Sequence, residues 1–361
     1  AWTEHTQTNW NGIIGKFCLE ASNRSYIKEL KTFPDPEAKK VLTKLVVFSA
    51  ADAEETASVV MNAATWNTER PVRVKKKSFS ITLQPGENEI ELSYNLGDEI
   101  QLWSEFEPAL YKLEVVLKGD RNLDAVTTDF GMRTFSTSGT QFTINGLKTF
   151  LRGKHDACVF PLTGHPPMDV ESWRDVFRTA KSYNINFYRF HSWTPPEAAF
   201  MAADIEGIYM QPELSFWGGF SRDRNTDLND YLLKQGENIL ETYGNHASFV
   251  MFALGNELSG DQTVMNDFLN HFRSLDSRPL MSYGTNNYLG YRGQVPGEDF
   301  FAGCRVGPDT DDSYKTHIRA SFSFADAFDG GYINGRYPST NRDYSEAIAN
   351  CTVPALGTEV G

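Results

Sequence analysis

The sequence predicts a β-sandwich followed by a parallel (β/α) barrel, on three observations. Residues 24 to 135 break into short runs rich in valine, leucine and threonine, separated by turn formers and without a helical period. From about residue 142, strand-like and helix-like segments alternate. Two apolar runs end in carboxylates: FVMFALGNEL (249 to 258) in Glu257 and VPALGTEVG (353 to 361) in Glu359. Strand-end carboxylates roughly a hundred residues apart can face one another only if both strands share one parallel sheet. In a barrel all C-terminal strand ends converge on one face, where active sites sit.

The elements follow in order. Ile13 to Leu19 reads as a strand after the Asn11-Gly12 turn signal, and residues 1 to 22 read as a remnant. Sandwich strands are expected at 41 to 48, 56 to 61, 78 to 83, 88 to 94 and 111 to 117, with turns at Pro85-Gly86 and Gly119-Asp120. Lys75, Lys76 and Lys77 suit a solvated edge that discourages pairing with another sheet. In FTINGLKTFLRGKHD, Asn145-Gly146 signals a hairpin, and a strand ends at His155 and Asp156. Trp173, Val176, Phe177 and Ala180 share one helical face, and INFYRFH follows as a strand at 185 to 191. Thr194-Pro195-Pro196-Glu197 reads as a helix start, with Thr194 capping, Pro195 first in the helix and Glu197 closing a capping box. A strand at 208 to 214 and a helix at about 227 to 243 lead to FVMFALGNEL as the fourth strand. Strands at 279 to 283, 299 to 305 and 353 to 359, with a helix at about 341 to 349, bring the barrel to seven strands, one short of closure. The long 306 to 340 segment, which carries His317 and Arg319, would lie over the active face as a substrate-shaping loop.

Composition narrows the partners. At 361 residues the chain suits two domains. A net charge of −13, from 47 acidic and 34 basic residues, argues against nucleic acid or an anionic membrane surface. No apolar run approaches the ~20 residues that span a bilayer. The four cysteines lack metal or redox spacing, and HExxH is absent, so no metal or other cofactor is expected. Both ends read as cut, so a signal peptide further upstream would make the protein periplasmic or secreted.

Paired carboxylates on one barrel face suit glycoside hydrolysis, one as proton donor and the other as nucleophile or base. Other candidates follow from position. His155 and Asp156 end strand one and Glu213 ends strand three, with a cap or ion pair as the alternative role. Trp193 and Trp217 follow strands two and three, as sugar platforms or as core.

The order of sandwich then barrel, together with DFGMRTF (129 to 135), FTINGLKTFLRG (142 to 153), DIEGIYMQPEL (204 to 214) and LGNE (254 to 257), resembles the family 2 glycoside hydrolases. That family holds β-galactosidases, β-glucuronidases and β-mannosidases. The resemblance implies a jelly-roll remnant over 1 to 22, an immunoglobulin-like β-sandwich over 23 to 136, and a (β/α)8 TIM barrel over 137 to 361 truncated after its seventh strand. It implies Glu257 as general acid/base, Asn256 as the residue holding the sugar's 2-hydroxyl, Glu359 as nucleophile, and Arg189 beside that nucleophile, keeping it ionised. The family usually reads Arg-Thr-Ser-His-Tyr-Pro where this chain reads Arg189-Phe-His191-Ser-Trp-Thr-Pro-Pro, so the contacts around His191 are displaced. The implied activity is that of a retaining exo-β-glycosidase acting on terminal β-linked sugars of oligo- or polysaccharides. β-Galactosidase is the first expectation and β-glucuronidase or β-mannosidase the alternatives. A carbohydrate-binding protein without chemistry is the rival from another class.

Overall fold

The computed structural model describes residues 17–119, 123–223, 226–284, 294, 296–303 and 351–358. Most of the expected N-terminal remnant, the 306 to 340 loop, the helix at 341 to 349, and Glu359 lie outside the described residues.

The first seven strands are β1 (Ser25–Asp35), β2 (Lys40–Ser49), β3 (Glu55–Thr65), β4 (Lys77–Leu83), β5 (Gly86–Asn95), β6 (Tyr111–Lys118) and β7 (Leu123–Phe130). They form two antiparallel sheets, β1-β2-β5 and β4-β3-β6-β7. Period-two patterning drives this arrangement. Tyr111, Leu113, Val115 and Leu117 of β6 point inward while Lys112 and Glu114 point out. Val41, Val47, Val59, Met61 and Tyr94 close the same core, each such apolar side chain stabilising by about 1.5–3 kcal/mol. β1 and β7 escape the apolar-run criterion because each is a sheet edge whose polar residues find partners across the edge, as Ile27 N does on Asp124 and Thr32 N on Asn245. Lys75, Lys76 and Lys77 are exposed where β4, another edge, begins.

β8 (Phe135–Ser138), β9 (Gln141–Ile144) and β10 (Leu147–Thr149) form a small meander. Asn145 and Gly146 both adopt positive φ, 52° and 79°, as a two-residue hairpin turn requires. The barrel follows as β11 (Gly153–Asp156), α1 (Val170–Ser182), β12 (Phe187–Phe190), α2 (Glu197–Glu206), β13 (Tyr209–Gln211), β14 (Trp217–Phe220), α3 (Thr226–Tyr243), β15 (Met251–Ala253), β16 (Asn256–Gly260), α4 (Gln262–Leu275), β17 (Leu280–Ser282), β18 (Phe301–Gly303) and β19 (Ala355–Gly357). Parallel pairing joins β11-β12-β13, β15-β17 and β18-β19. The bridges Met210–Phe249 and Glu213–Ala253 connect the first two groups, and Asp299 N donates to Met281 O between β17 and β18. Seven barrel strands are thus present among the described residues. Asp169 caps α1 by accepting from Ser172 N at 2.9 Å, and Trp173, Phe177 and Ala180 are its buried face. α4 was not anticipated, although its cap Asp261 and its buried Val264, Met265, Phe268, Leu269 and Phe272 carry a helical period.

Two expectations are corrected. FVMFALGNEL is not one strand: the chain leaves the barrel after Ala253, and Asn256–Gly260 pairs instead with Trp217–Phe220. The cause is Gly255, whose φ of 138° re-aims the backbone. The second correction concerns α2, which starts at Glu197 with Pro196 as its N-cap and no side-chain cap. The Thr194 hydroxyl donates to Glu213 O at 3.1 Å, Pro195 precedes the extended N-cap Pro196 at ψ 161° and so lies outside the helix, and Glu197 is the first helical residue and closes no capping box.

The sandwich meets the barrel at the N-terminal ends of the strands, which leaves the opposite face clear of it. Asn245 donates to Leu30 O and accepts from Thr32 N. Arg278 donates to Thr32 O and lies over the Phe33 ring. Arg133, its pKa lowered to about 10 by burial, holds Ala247 O and Phe249 O. Buried Glu105 accepts from Thr149, Asn186 and Tyr209.

At this junction His246 Nδ1 lies 2.6 Å from Asp204 Oδ2. Burial favours the neutral ring, but the Asp204 charge and hydrogen bond outweigh it, so the His246 pKa is raised above 6.5. The stability this pair contributes is fully present below the ordinary histidine value and is lost as pH rises through the raised one. Unfolding free energy is therefore expected to fall as pH rises from the ordinary histidine value through the raised one, and to fall less in Asp204→Asn; urea unfolding at a series of pH values measures it.

Candidate active site

The C-terminal ends of the barrel strands carry the left-handed residues that are not simple turns. Cys158 after β11, Ser192 after β12 and Glu257 in β16 have φ of 59°, 57° and 45°. Such conformations cost about 1–3 kcal/mol each and persist where the surroundings over-determine them, commonly at functional sites. Around Glu257 the packing is tight. A Cβ on Gly255 would stand 2.3 Å from Phe216 O, and one on Gly284 would stand 2.3 Å from Gly255 O. Glycine at both positions lets the chain cross itself and hold Glu257 half-buried, between buried Asn256 and Leu258.

Beside Glu257 lies a buried polar cluster drawn from β12, from the bridge residue that follows β13, and from the start of β16. Arg189 and Asn256 are each 1% exposed and Glu213 is fully buried. Arg189 Nε donates to Glu213 Oε1 at 2.7 Å and Nη2 to Glu213 Oε2 at 3.3 Å. Ser192 N adds a bond to Glu213 Oε2 at 2.8 Å, and Gln211 Nε2 reaches Oε1 at 3.4 Å. A charge pair this deep needs such extra bonds to offset its desolvation. Arg189 Nη2 also donates to Asn256 Oδ1 at 2.6 Å. That bond sets the amide orientation, because the oxygen must face the guanidinium. Asn256 Nδ2 is then a buried donor that finds no hydrogen-bond partner among the described residues, the kind of orphan that a bound hydroxyl would satisfy.

The remaining candidates separate into two groups. Asp156 is braced within its own strand end: Lys154 Nζ lies 2.6 Å from its Oδ2 and Cys158 N donates to its Oδ1. Trp193 donates through Nε1 to Asp156 O and packs edge-on against Phe190. His155, His191 and Trp217 instead form a contiguous row. His155 Nδ1 lies 3.4 Å from Arg189 Nη1 and 3.3 Å from Thr358 O, and one ring nitrogen can serve only one of these at a time. The His155 and His191 ring centroids are 4.8 Å apart, and the His191 and Trp217 centroids 5.6 Å. Thr358 is the last described residue before Glu359, so the end of β19 meets the end of β11 through His155.

Sequence reasoning passed over Ser192, Gln211 and Phe216. Their contributions are a backbone N–H, a second-rank amide and a carbonyl that accepts from Asn256 N at 3.0 Å. The backbone roles of Ser192 and Phe216 leave no signature in residue type. No group of three or more His, Cys, Asp and Glu able to hold a metal ion occurs among the described residues.

The chain matches two family models, Glycosyl hydrolases family 2 over residues 25–133 and Glycosyl hydrolases family 2, TIM barrel domain over residues 135–292. A Formosa agariphila protein that bears the name of a β-glucuronidase is 25% identical over 279 residues, covering 74% of this chain and 32% of its own length. A β-galactosidase of an Arthrobacter species is 27% identical over 221 residues, 56% of this chain and 21% of its own length. The chain thus spans about a third or less of these relatives. The crystal structure of a Bacteroides uniformis β-glucuronidase matches with a TM-score of 0.67 at 16% identity, over 80% of this chain and 38% of that one, a likeness of fold.

Proposed function

The chain belongs to family 2 of the glycosyl hydrolases, and from that premise we propose that the protein is a retaining exo-β-glycosidase removing terminal β-linked sugars from oligo- or polysaccharides. β-Galactosides are the first substrates to expect, with β-glucuronides and β-mannosides next. The observation that carries the reading is the Arg189–Asn256 bond, which fixes a buried N–H donor in the residue before Glu257.

In the proposed reaction Glu359 attacks the anomeric carbon while Glu257 gives its proton to the departing oxygen. Glu257 then takes a proton from water, which attacks the same carbon and releases Glu359, with the β configuration retained. Asn256 Nδ2 donates to the hydroxyl beside the anomeric carbon. Arg189 contributes in two ways: it orients Asn256, and it supplies positive charge at the floor of the site. Glu213 holds Arg189. His155 and His191 line the wall, Trp217 stands exposed at its outer end, and Asp156 and Trp193 brace the strand ends that carry them.

The test is a panel of p-nitrophenyl β-galactoside, β-glucuronide and β-mannoside with the whole protein, followed by a 2-deoxy-2-fluoro glycoside of the sugar that turns over. Turnover with retention, and a trapped sugar mapped to Glu359, are expected. Sugar binding without turnover of any member would identify a carbohydrate-binding protein, and label on Glu213, Asp156 or Glu257 would overturn the assignment of the nucleophile.

A further inference from the structure

We infer that Trp217 is the platform of the leaving-group side of the site and recognises the sugar ring beyond the scissile bond. The inference rests on the glycosidase reading above and deepens it. Depth supplies the first argument. The row that begins at the buried floor, Arg189 and Asn256 at 1% exposure, rises through half-buried His155 and His191 to Trp217, which is 54% exposed. In an exo-acting site the terminal sugar occupies the closed end, where Asn256 can reach it. Whatever lies at the open end of the same wall therefore belongs to the part of the substrate that departs.

Register supplies the second argument. Trp217 pairs with Asn256 across parallel β14 and β16, and adjacent strands lie about 4.8 Å apart. Its backbone is thus one strand away from Glu257, whose task is to protonate the oxygen that leaves. Gly218 and Gly219 follow, so neither residue after Trp217 places a side chain that could cover the ring. The His191 and Trp217 planes cross at 82°, so the imidazole does not stack on the indole, and Trp217 keeps 54% of its surface exposed. Trp193, the other candidate platform, spends its Nε1 on Asp156 O and its ring on Phe190. An exposed indole beside a sugar site presents the apolar face that sugar C–H groups stack upon.

The experiment compares two substrates that share a terminal sugar and both depart as alcohols, methyl β-galactoside and lactose, or the corresponding pair for the terminal sugar that the panel selects. In Trp217→Ala, kcat/KM for the disaccharide is expected to fall about tenfold, the size of one lost aromatic contact. The methyl glycoside should change less than about twofold, having no second ring to lose. Trp217→Phe keeps a ring and should recover most of the disaccharide rate. Equal losses on both substrates would show that the indole touches the terminal sugar or holds the fold, and no loss on either would show that it touches no substrate; each overturns the inference. Wild-type protein inert toward every glycoside would fail the glycosidase reading itself, a result distinct from either.

Discussion

Glu257→Ala is expected to lower kcat/KM on natural linkages by about 10²- to 10⁴-fold, the usual contribution of a positioned acid/base. The two chemical steps need this residue differently. Glycosylation needs the acid only when the leaving group is poor, whereas deglycosylation always needs a base to activate water. The variant should therefore form its covalent intermediate readily from a dinitrophenyl glycoside and then stall. Azide needs no base and fits the space vacated by the side chain, which is half-buried rather than sealed. It should restore turnover and give the β-glycosyl azide. An α-azide would exchange the roles of Glu257 and Glu359. Unchanged turnover of natural linkages, with no azide effect, would make Glu257 structural, its left-handed backbone then being strain without catalytic purpose.

The second large effect concerns Glu213. Replacing it with leucine removes the buried carboxylate that Arg189 Nε and Nη2 bind, and breaking such a buried pair costs about 3–5 kcal/mol. For a chain of 361 residues that corresponds to a fall in Tm of about 4–7 °C. Activity should fall as well, because Arg189 released from Glu213 no longer holds Asn256 Oδ1 in place. The double variant Glu213→Leu with Arg189→Met separates the two consequences. Removing both charges together restores most of the stability, since an apolar pair of similar volume is often neutral or better, while the loss of activity persists. Thermal unfolding and kcat/KM measured on the single and the double variant check this. If the double variant regains activity with its stability, the cluster acts only as a support for the barrel.

What the residues alone determine here is the one-dimensional pattern of burial. Period two in β6, the Asn145-Gly146 turn and the helical face of α1 are local consequences of side-chain direction, legible because neighbours along the chain are neighbours in space. The same logic lets Glu257 be singled out, since a carboxylate that follows FVMFALGN stands where a buried strand emerges. Tertiary structure decided the rest. Periodicity could not reveal that the chain leaves the barrel at Gly255, because the partner that draws it away, β14 (Trp217–Phe220), is distant in sequence. It could not choose between Trp193 and Trp217, which differ in what packs on them and not in type. Nor could it pair Arg189 with Glu213 and Asn256, 24 and 67 positions distant. The physical reason is common to all three. Local pattern sets which face of an element is buried, but strand order and register set which buried groups meet, and the chemistry of this site resides in those meetings.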